Sequence, residues 1–118
     1  MSHVWGFLTP VPEANRDAYV ASAQKAWPLF QEYGALAMYE CWEAGVPDGE
    51  VTSFPMAVKR EPGEAVVFSW IIWRDQAAAD ACQASMETDK RWAEMMDMPF
   101  DGKRMIYGGF EPVFVAEA

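Results

Sequence analysis

The stretch Ala65-Val66-Val67-Phe68-Ser69-Trp70-Ile71-Ile72-Trp73 is apolar on both of its alternating faces. Successive side chains of a β-strand point to opposite sides of the sheet, and a strand with one side in water alternates apolar with polar residues. This strand is therefore expected to be covered on both sides. It is interrupted by Ser69 and far too short to cross a bilayer as a helix.

The residue patterns in the rest of the chain predict strands and helices that surround this strand. Strands are predicted at 3–9, 36–43, 52–59, 65–73 and, after the Asp101-Gly102 turn, up to residue 110. Helices are predicted at 15–33 and from residue 76, the second with a short continuation through Trp92, Ala93 and Met96.

Local signals set the ends of these elements. Pro10 and Pro12 are expected to end the first strand, because proline cannot donate to a ladder. Asn15 and Asp75 are expected to be N-caps. Pro28 predicts a kink or a restart of the first helix, which Gly34 should terminate.

This order predicts an α+β fold, a ferredoxin-like βαββαβ core with an additional strand, in a single domain over residues 1–118. Two helices cover only one face of the antiparallel sheet. The other face is expected to be apolar, formed by Trp5, Phe7, Phe68, Trp70 and Tyr107. A two-fold homodimer with its sheets face to face would cover it, as a dimeric α+β barrel, and would enclose a ligand pocket lined by these five residues.

Composition limits the classes of partner. The formal net charge of −9 argues against nucleic acid and against anionic membrane surfaces. Six Trp and eight Met are many for 118 residues, so some are expected at a pocket or an interface. The N-terminus lacks a signal-peptide pattern, and Cys41 and Cys82 lack metal-ligand spacing. We therefore expect a cytoplasmic protein with two buried reduced thiols and no metal site.

Several segments together resemble the YbaA-like family, a domain of unknown function (1428) in the dimeric α+β barrel superfamily. The matching segments run nearly end to end, namely Gly6-Phe7, Val11-Pro12, 28–30, 34–36, 40–42, 46–49, Val51-Thr52, 56–59, 66–71 and 98–110. The resemblance implies a small bacterial cytoplasmic dimer, with no established reaction or catalytic set.

Two comparisons with the family pattern bear on the faces of the sheet. Relatives commonly have Asp where this chain has Trp5, so a role of that carboxylate does not carry over. Relatives tolerate an acid at position 72, which implies that Phe68, Trp70 and Ile72 face the partner subunit. Ser69 and Gly6 would then face the helices.

The closing strand carries two adjacent glycines, which are typical of a bulge, a bend or a close approach to the backbone. Because side chains alternate along a strand, Ile106, Gly108 and Phe110 are expected to face the helices. The other three, Met105, Tyr107 and Gly109, are expected to face the partner subunit.

Three residues are candidates for chemistry. Glu40 is an acid in a largely apolar strand, so it lies either at a sheet edge or in a cavity, where loss of hydration would suit it to proton transfer. Tyr107 could donate a hydrogen bond to a ligand oxygen. Arg104, next to Lys103, could hold a carboxylate, or could instead pair with acids on neighbouring loops. Asp101 is expected to fix its turn.

His3 is the only imidazole. It is either structural or solvated, or a general base or axial haem ligand at the barrel mouth, which haem-binding members of the superfamily make conceivable. No cofactor is predicted, and haem is not excluded.

These observations favour a homodimer that binds a small apolar or aromatic molecule between its sheets, without catalysis. One alternative is a cofactor-independent oxygenase- or isomerase-type enzyme that uses Glu40 as base and Tyr107 or Arg104 to stabilise an enolate-like oxygen. The other is a structural or interaction dimer with a filled barrel.

Overall fold

A computed structural model describes residues 1–95 and 98–118. In this part of the chain the strands are β1 His3–Pro12, β2 Ala35–Trp42, β3 Glu64–Trp73 and β4 Ile106–Phe110. The α-helices are α1 Arg16–Glu32, α2 Phe54–Ala57 and α3 Gln76–Ser85, and 3-10 turns span Glu13–Asn15 and Lys90–Met95. The predicted continuation through Met96 ends outside the described residues.

The strands form one antiparallel sheet in the order β2-β3-β1-β4. Because β3 and β1 occupy the centre, each has a neighbour on both sides, and the two-sided apolar pattern of β3 fits this position. This is the ferredoxin-like arrangement, so the predicted fold class is confirmed.

The additional strand predicted at 52–59 is wrong, because these residues contain α2. The Ser53 side chain accepts a hydrogen bond from the Met56 backbone N–H at 3.1 Å, and Pro55 lies in the first turn, where its missing donor costs nothing. The Phe54 ring lies 5.9 Å from that of Phe68, so this short helix covers one end of the sheet face opposite α1 and α3.

The prediction that the first strand ends at residue 9, before Pro10, is also wrong, since β1 includes Pro10 and runs to Pro12. The Glu13 N–H donates to the O of Gly63, which immediately precedes β3, and strand N–H groups alternate in direction. The two missing N–H groups therefore point away from β3, on the side where pairing with β4 has already ended at Leu8.

Helix α1 runs without interruption through Pro28, so the chain does not restart there. Asn15 precedes the helix, but its side chain makes no cap and instead donates to Pro99 O at 2.9 Å. Gly34 follows the C-cap with φ +110°, as predicted, and a Cβ there would lie 3.0 Å from that of Ala78. Asp75 caps α3, since its carboxylate accepts from the Ala78 N–H at 2.8 Å.

The register of the strands assigns the side chains to two faces. One face carries the odd-numbered residues of β1, β3 and β4 together with the even-numbered residues 38–42 of β2. The paired residues that establish this are Trp5 with Ile71, Phe7 with Ser69 and Tyr107, and Glu40 with Ser69. The helices α1 and α3 cover this face. Its core includes Trp5, Leu29, Ile71, Trp73, Cys82 and Trp92.

The opposite face has no such helical layer in the described residues, and we call it the open face. Apolar side chains between 44% and 60% exposed lie on it, namely Tyr39, Phe68, Ile106 and Phe110. Four residues with paired backbones cross it, one from each strand, and form the open row: Tyr39, Trp70, Gly6 and Gly108.

The glycines of the open row allow a close approach of an aromatic side chain. A Cβ added to Gly6 or Gly108 would lie 3.4 Å from the ring of Phe110, so that ring rests over bare backbone. The prediction that Gly6, Ile106, Gly108 and Phe110 face the helices is therefore wrong. Of the three alternatives for the adjacent glycines of the closing strand, the close approach applies, because the Phe110 ring lies against Gly108 and the His3 ring against Gly109.

Candidate functional site

A cavity of about 470 Å³ lies between the sheet and its helices, within a single chain. Trp5, Phe7 and Ile71 contribute to its floor from the sheet, and Phe30 and Trp92 border it from the helical layer. Five of the described methionines also line it, namely Met38, Met86, Met95, Met98 and Met105. Methionine side chains adapt their shape, so this lining suits an apolar ligand of variable outline.

This cavity is a different space from the pocket between two sheets that the sequence predicted. Of the five predicted pocket residues, Trp5, Phe7 and Tyr107 line it, whereas Phe68 and Trp70 belong to the open face. The error is one of register, since a shift of one residue in pairing moves a whole strand to the opposite face. Tyr107 and Gly109 likewise border the cavity, where a surface toward a partner was expected.

Glu40 is an acid in this apolar surrounding. The sequence left open whether Glu40 lies at a sheet edge or in a cavity, and both are true. Its strand β2 is an edge strand, and its side chain projects into the cavity. Oε1 accepts hydrogen bonds from the Tyr19 hydroxyl at 2.6 Å and the Ser69 hydroxyl at 2.5 Å. The carboxylate is solvent-accessible but held in a defined orientation.

Tyr19 and Ser69 hold the Glu40 carboxylate, and the sequence analysis did not assign either residue to the site. Burial, followed by the neighbouring Glu40 carboxylate, raises the pKa of Tyr19 well above its ordinary value. The phenol therefore stays protonated and acts as a donor. A signal for Ser69 was present, since a hydroxyl interrupts an otherwise apolar central strand and requires a hydrogen-bond partner when buried.

Tyr107 lies at the far end of the same line of paired residues. One residue from each strand forms this cavity row: Glu40, Ser69, Phe7 and Tyr107. Neighbouring strands lie about 4.8 Å apart, so the backbones at its two ends are separated by about 14 Å. Tyr107 is largely exposed on the edge strand β4, with its ring 6.4 Å from that of Phe7.

Arg104 is not brought to the cavity. Its guanidinium forms a bidentate pair with Glu64, with both N–O distances 2.7 Å, and also contacts Asp101 and the Lys59 carbonyl. These bonds correspond to the structural alternative for this residue. Hydrogen bonding and charge from Arg104 hold the pKa values of Glu64 and Asp101 below their ordinary range. Asp101 also accepts from the Lys103 N–H, so it fixes the turn as predicted.

His3 also lies outside the cavity. It borders a smaller, more polar hollow with Gln76 and Glu111, and a Cβ on Gly109 would lie 2.9 Å from its Nε2. His3, the residue considered as an axial haem ligand, is not among the described residues that line the cavity. In the described part of the chain, no three His, Cys, Asp or Glu side chains group as a metal site requires.

The two thiols differ in environment. Cys82 lies on the buried side of α3, and this burial raises the pKa of its thiol to about 12. Cys41 is only partly buried and pairs with Phe68 on the open face, so the prediction of two buried thiols holds for one of them. No helix in residues 1–95 and 98–118 is long and apolar enough to cross a bilayer.

A family model described as "Protein of unknown function (DUF1428)" matches residues 2–102. The chain belongs to this family. A DUF1428 relative, the "Uncharacterized protein YbaA" of Escherichia coli strain K12, is 54% identical over 114 residues, which cover 96% of this chain and 97% of the relative. The predicted YbaA-like resemblance is thereby confirmed.

Solved structures agree with the fold of this DUF1428 chain. Two proteins from an uncultured marine organism, each described as a dimeric ferredoxin-like protein, match it with TM-scores of 0.56 and 0.53. Each is 11% identical in sequence, and the matches cover 100% of this chain and 98% and 100% of theirs. At this identity the likeness establishes the fold.

Proposed function

We propose that this protein binds a small apolar or aromatic molecule in the cavity between its sheet and its helices. The observation that carries the proposal is the cavity itself, which is walled by aromatic and thioether side chains around a few oriented polar groups. Ligand sites in proteins have this composition and occupy about 300–1,000 Å³.

The environment-sensitive neutral dye prodan tests this proposal. We expect its fluorescence to rise on binding and its affinity to fall at least about tenfold in Ala26→Phe, because Ala26 lines the cavity from α1. Ala21→Phe is the matched control, since it adds the same ring at an exposed position of the same helix. Equal affinity in both variants would place the dye elsewhere and contradict the proposal.

We also propose that the protein is a homodimer whose open faces pack together around a two-fold axis. The support is the set of exposed apolar side chains on that face, including the stack of Tyr39 on Trp70 with ring centroids 4.8 Å apart. A second copy presents the same surface, and an isologous interface covers both at once. The structural neighbours described as dimeric are consistent with this assembly.

Sedimentation at micromolar concentration measures the assembly. We expect a mass twice the 13.3 kDa of one chain, and the single-chain mass for Phe68→Glu. Val20→Glu is the control, because Val20 is 44% exposed, as Phe68 is, but lies on α1. A wild-type monomer overturns the dimer, and a dimer whose cavity takes up no dye favours the structural alternative.

A second candidate function follows from the position of Glu40 in the cavity. As a base, a Glu40 carboxylate oxygen would take the proton from a carbon next to a ligand carbonyl, leaving an enolate; Tyr107, at the opposite end of the cavity row, lies too far away to stabilise the oxygen of a small ketone. Deuterium incorporation from solvent into 2-indanone measures this step. We expect it to be accelerated by the wild type and not by Glu40→Gln. Equal rates in both proteins rule out this chemistry for the ketone tested.

A further inference from the structure

The lining of the cavity has one sign of charge. Among the described residues that border it, Glu40 is the one carboxylate, and none is Lys, Arg or His. Other carboxylates held in fixed hydrogen bonds are paired with a guanidinium, as Glu43 is with Arg60, and Glu64 with Arg104. The carboxylate in the cavity has no such cation in the part of the chain that the structure describes.

The two oxygens of Glu40 differ in their hydrogen bonding. Both donors, the hydroxyls of Tyr19 and Ser69, reach Oε1. Within residues 1–95 and 98–118, no donor reaches Oε2. A carboxylate with one oxygen anchored and the other free is a preorganised acceptor, because binding a donor requires no further ordering of its side chain.

The surroundings of this acceptor define the rest of the ligand. Phe7 and Trp5 lie on the cavity floor, with ring centroids 6.4 Å apart and nearly perpendicular, and Phe30 packs edge-on against Trp5. Aromatic rings accept another ring edge-on or stacked and also attract a cation through their faces. A ligand with a charged head and a flat apolar body therefore satisfies both parts of the cavity.

We propose that the ligand is a small aromatic or alkyl amine, bound in its protonated form with its nitrogen on Glu40 and its apolar body over Phe7 and Trp5. This inference rests on the proposed function, since it names the ligand class of the same cavity. The formal charge of −9 on the chain acts in the same direction, because it attracts cations and repels anions over the whole surface.

Three ligands with one ring system separate the contributions of charge and shape: 1-naphthylmethylamine, 1-naphthalenemethanol and 1-naphthoate, each competing with bound prodan. We expect the amine to bind about tenfold more tightly than the alcohol, since hydrogen bonds to charged groups are the stronger class, and the naphthoate to bind most weakly. Added salt should reduce the preference for the amine and leave the alcohol unchanged.

Glu40→Gln provides the decisive variant. The amide keeps an oxygen that can accept from Tyr19 and Ser69, so the variant should fold, and the amine should lose about tenfold more affinity than the alcohol. Glu50→Gln is the control, because it removes the same charge from an exposed loop position. The alcohol affinity also reports whether Glu40→Gln is folded.

The outcomes separate the two proposals. If prodan and the alcohol bind but the amine has no advantage, or keeps it in Glu40→Gln, the amine inference is overturned and the binding function stands. Tightest binding of naphthoate overturns it equally. If neither prodan nor the alcohol binds in the cavity, the proposed function itself fails and the inference fails with it.

Discussion

The cavity row and the open row cross the same four strands, one position apart on each strand, and face opposite ways. The cavity row ends in a carboxylate and a phenol and is roofed by helices. The open row consists of two stacked aromatic residues and two glycines, which leave a flat surface under Phe110. Neighbouring positions of one sheet thus line a concave site with polar residues at its ends on one side and form a flat apolar surface on the other. Substitutions can therefore change the cavity and the open face separately.

The largest effect is expected from a matched pair of isoleucines on β3. Ile71 is 3% exposed on the cavity side, whereas Ile72 is partly exposed on the open face. Ile71→Ala should lower the free energy of unfolding by about 3 kcal/mol through lost burial and a residual void. Ile72→Ala should lower it by about 1 kcal/mol or less and act mainly on dimer dissociation. Denaturant unfolding and sedimentation of both variants measure this, and the reverse order of losses would mean that the register assigned here is wrong.

This pair also marks the limit of what the sequence predicts. The alternation within each strand could be read from the residues, and so could helices α1 and α3, their Asp75 and Gly34 ends, and the fold class. The pairing between strands could not, because β3 is apolar on both sides and fits either register. Trp5, Phe7 and Tyr107 were grouped correctly with one another, but were assigned to the face of Phe68 and Trp70, so the five residues do not line a single pocket.

Other errors have local causes. The segment 52–59 contains β-branched and aromatic residues typical of a strand, yet the Ser53 cap and Pro55 favour a helical turn. The contact of Glu40 with Tyr19 depends on how α1 crosses the sheet, and no spacing within the sequence encodes that crossing. Arg104 was open to two interpretations, and only tertiary structure brings Glu64 within reach of its guanidinium.

The ion pairs of Arg104 hold the segment that supplies Met98, Phe100 and Met105 to the cavity wall. Arg104→Met should destabilise the protein and weaken prodan binding while leaving the dimer intact. Because the pKa values of Glu64 and Asp101 are lowered from 4.5 and 3.8, the stabilisation is present above these values and lost as the pH falls below them.

Unfolding free energies of the wild type and Arg104→Met should therefore converge in acid. Arg74→Met is the control, because Arg74 is exposed and lies 3.5 Å from Asp75 in an exposed pair, which contributes little. A difference between wild type and Arg104→Met that stays constant from pH 7 to about pH 3 would contradict an ionic origin.

A smaller effect is expected from removing one hydroxyl on each side of β2. Tyr19→Phe removes a donor to Glu40 and should cost about 1 kcal/mol. Tyr39→Phe should cost almost nothing, since Tyr39 is 52% exposed and its hydroxyl bonds to no described residue.

Since the pKa of Tyr19 is raised above 10.0, the wild type should lose stability as the pH rises past about 10, and Tyr19→Phe should lose less. Denaturant unfolding at pH 7 and in alkali measures both effects, and equal costs for the two variants would contradict the role given to Tyr19.

The smallest perturbation uses the thiols, which report the two sides of the sheet without a mutation. Cys82 should not react with iodoacetamide in the folded protein at pH 8, because it is buried and its thiol pKa is raised to about 12, so thiolate is scarce. Cys41 lies on the open face beside Phe68 and should react, faster in dilute protein than in concentrated protein, since dimerisation covers it.

Mass spectrometry of the alkylated chain over a range of concentrations measures both rates, with Phe68→Glu as the control in which the concentration dependence disappears. A Cys41 rate that is independent of concentration in the wild type would mean that the partner covers some other surface. Modification of Cys82 at the same rate would mean that the helical layer opens far more readily than its packing against Trp73 and Trp92 implies.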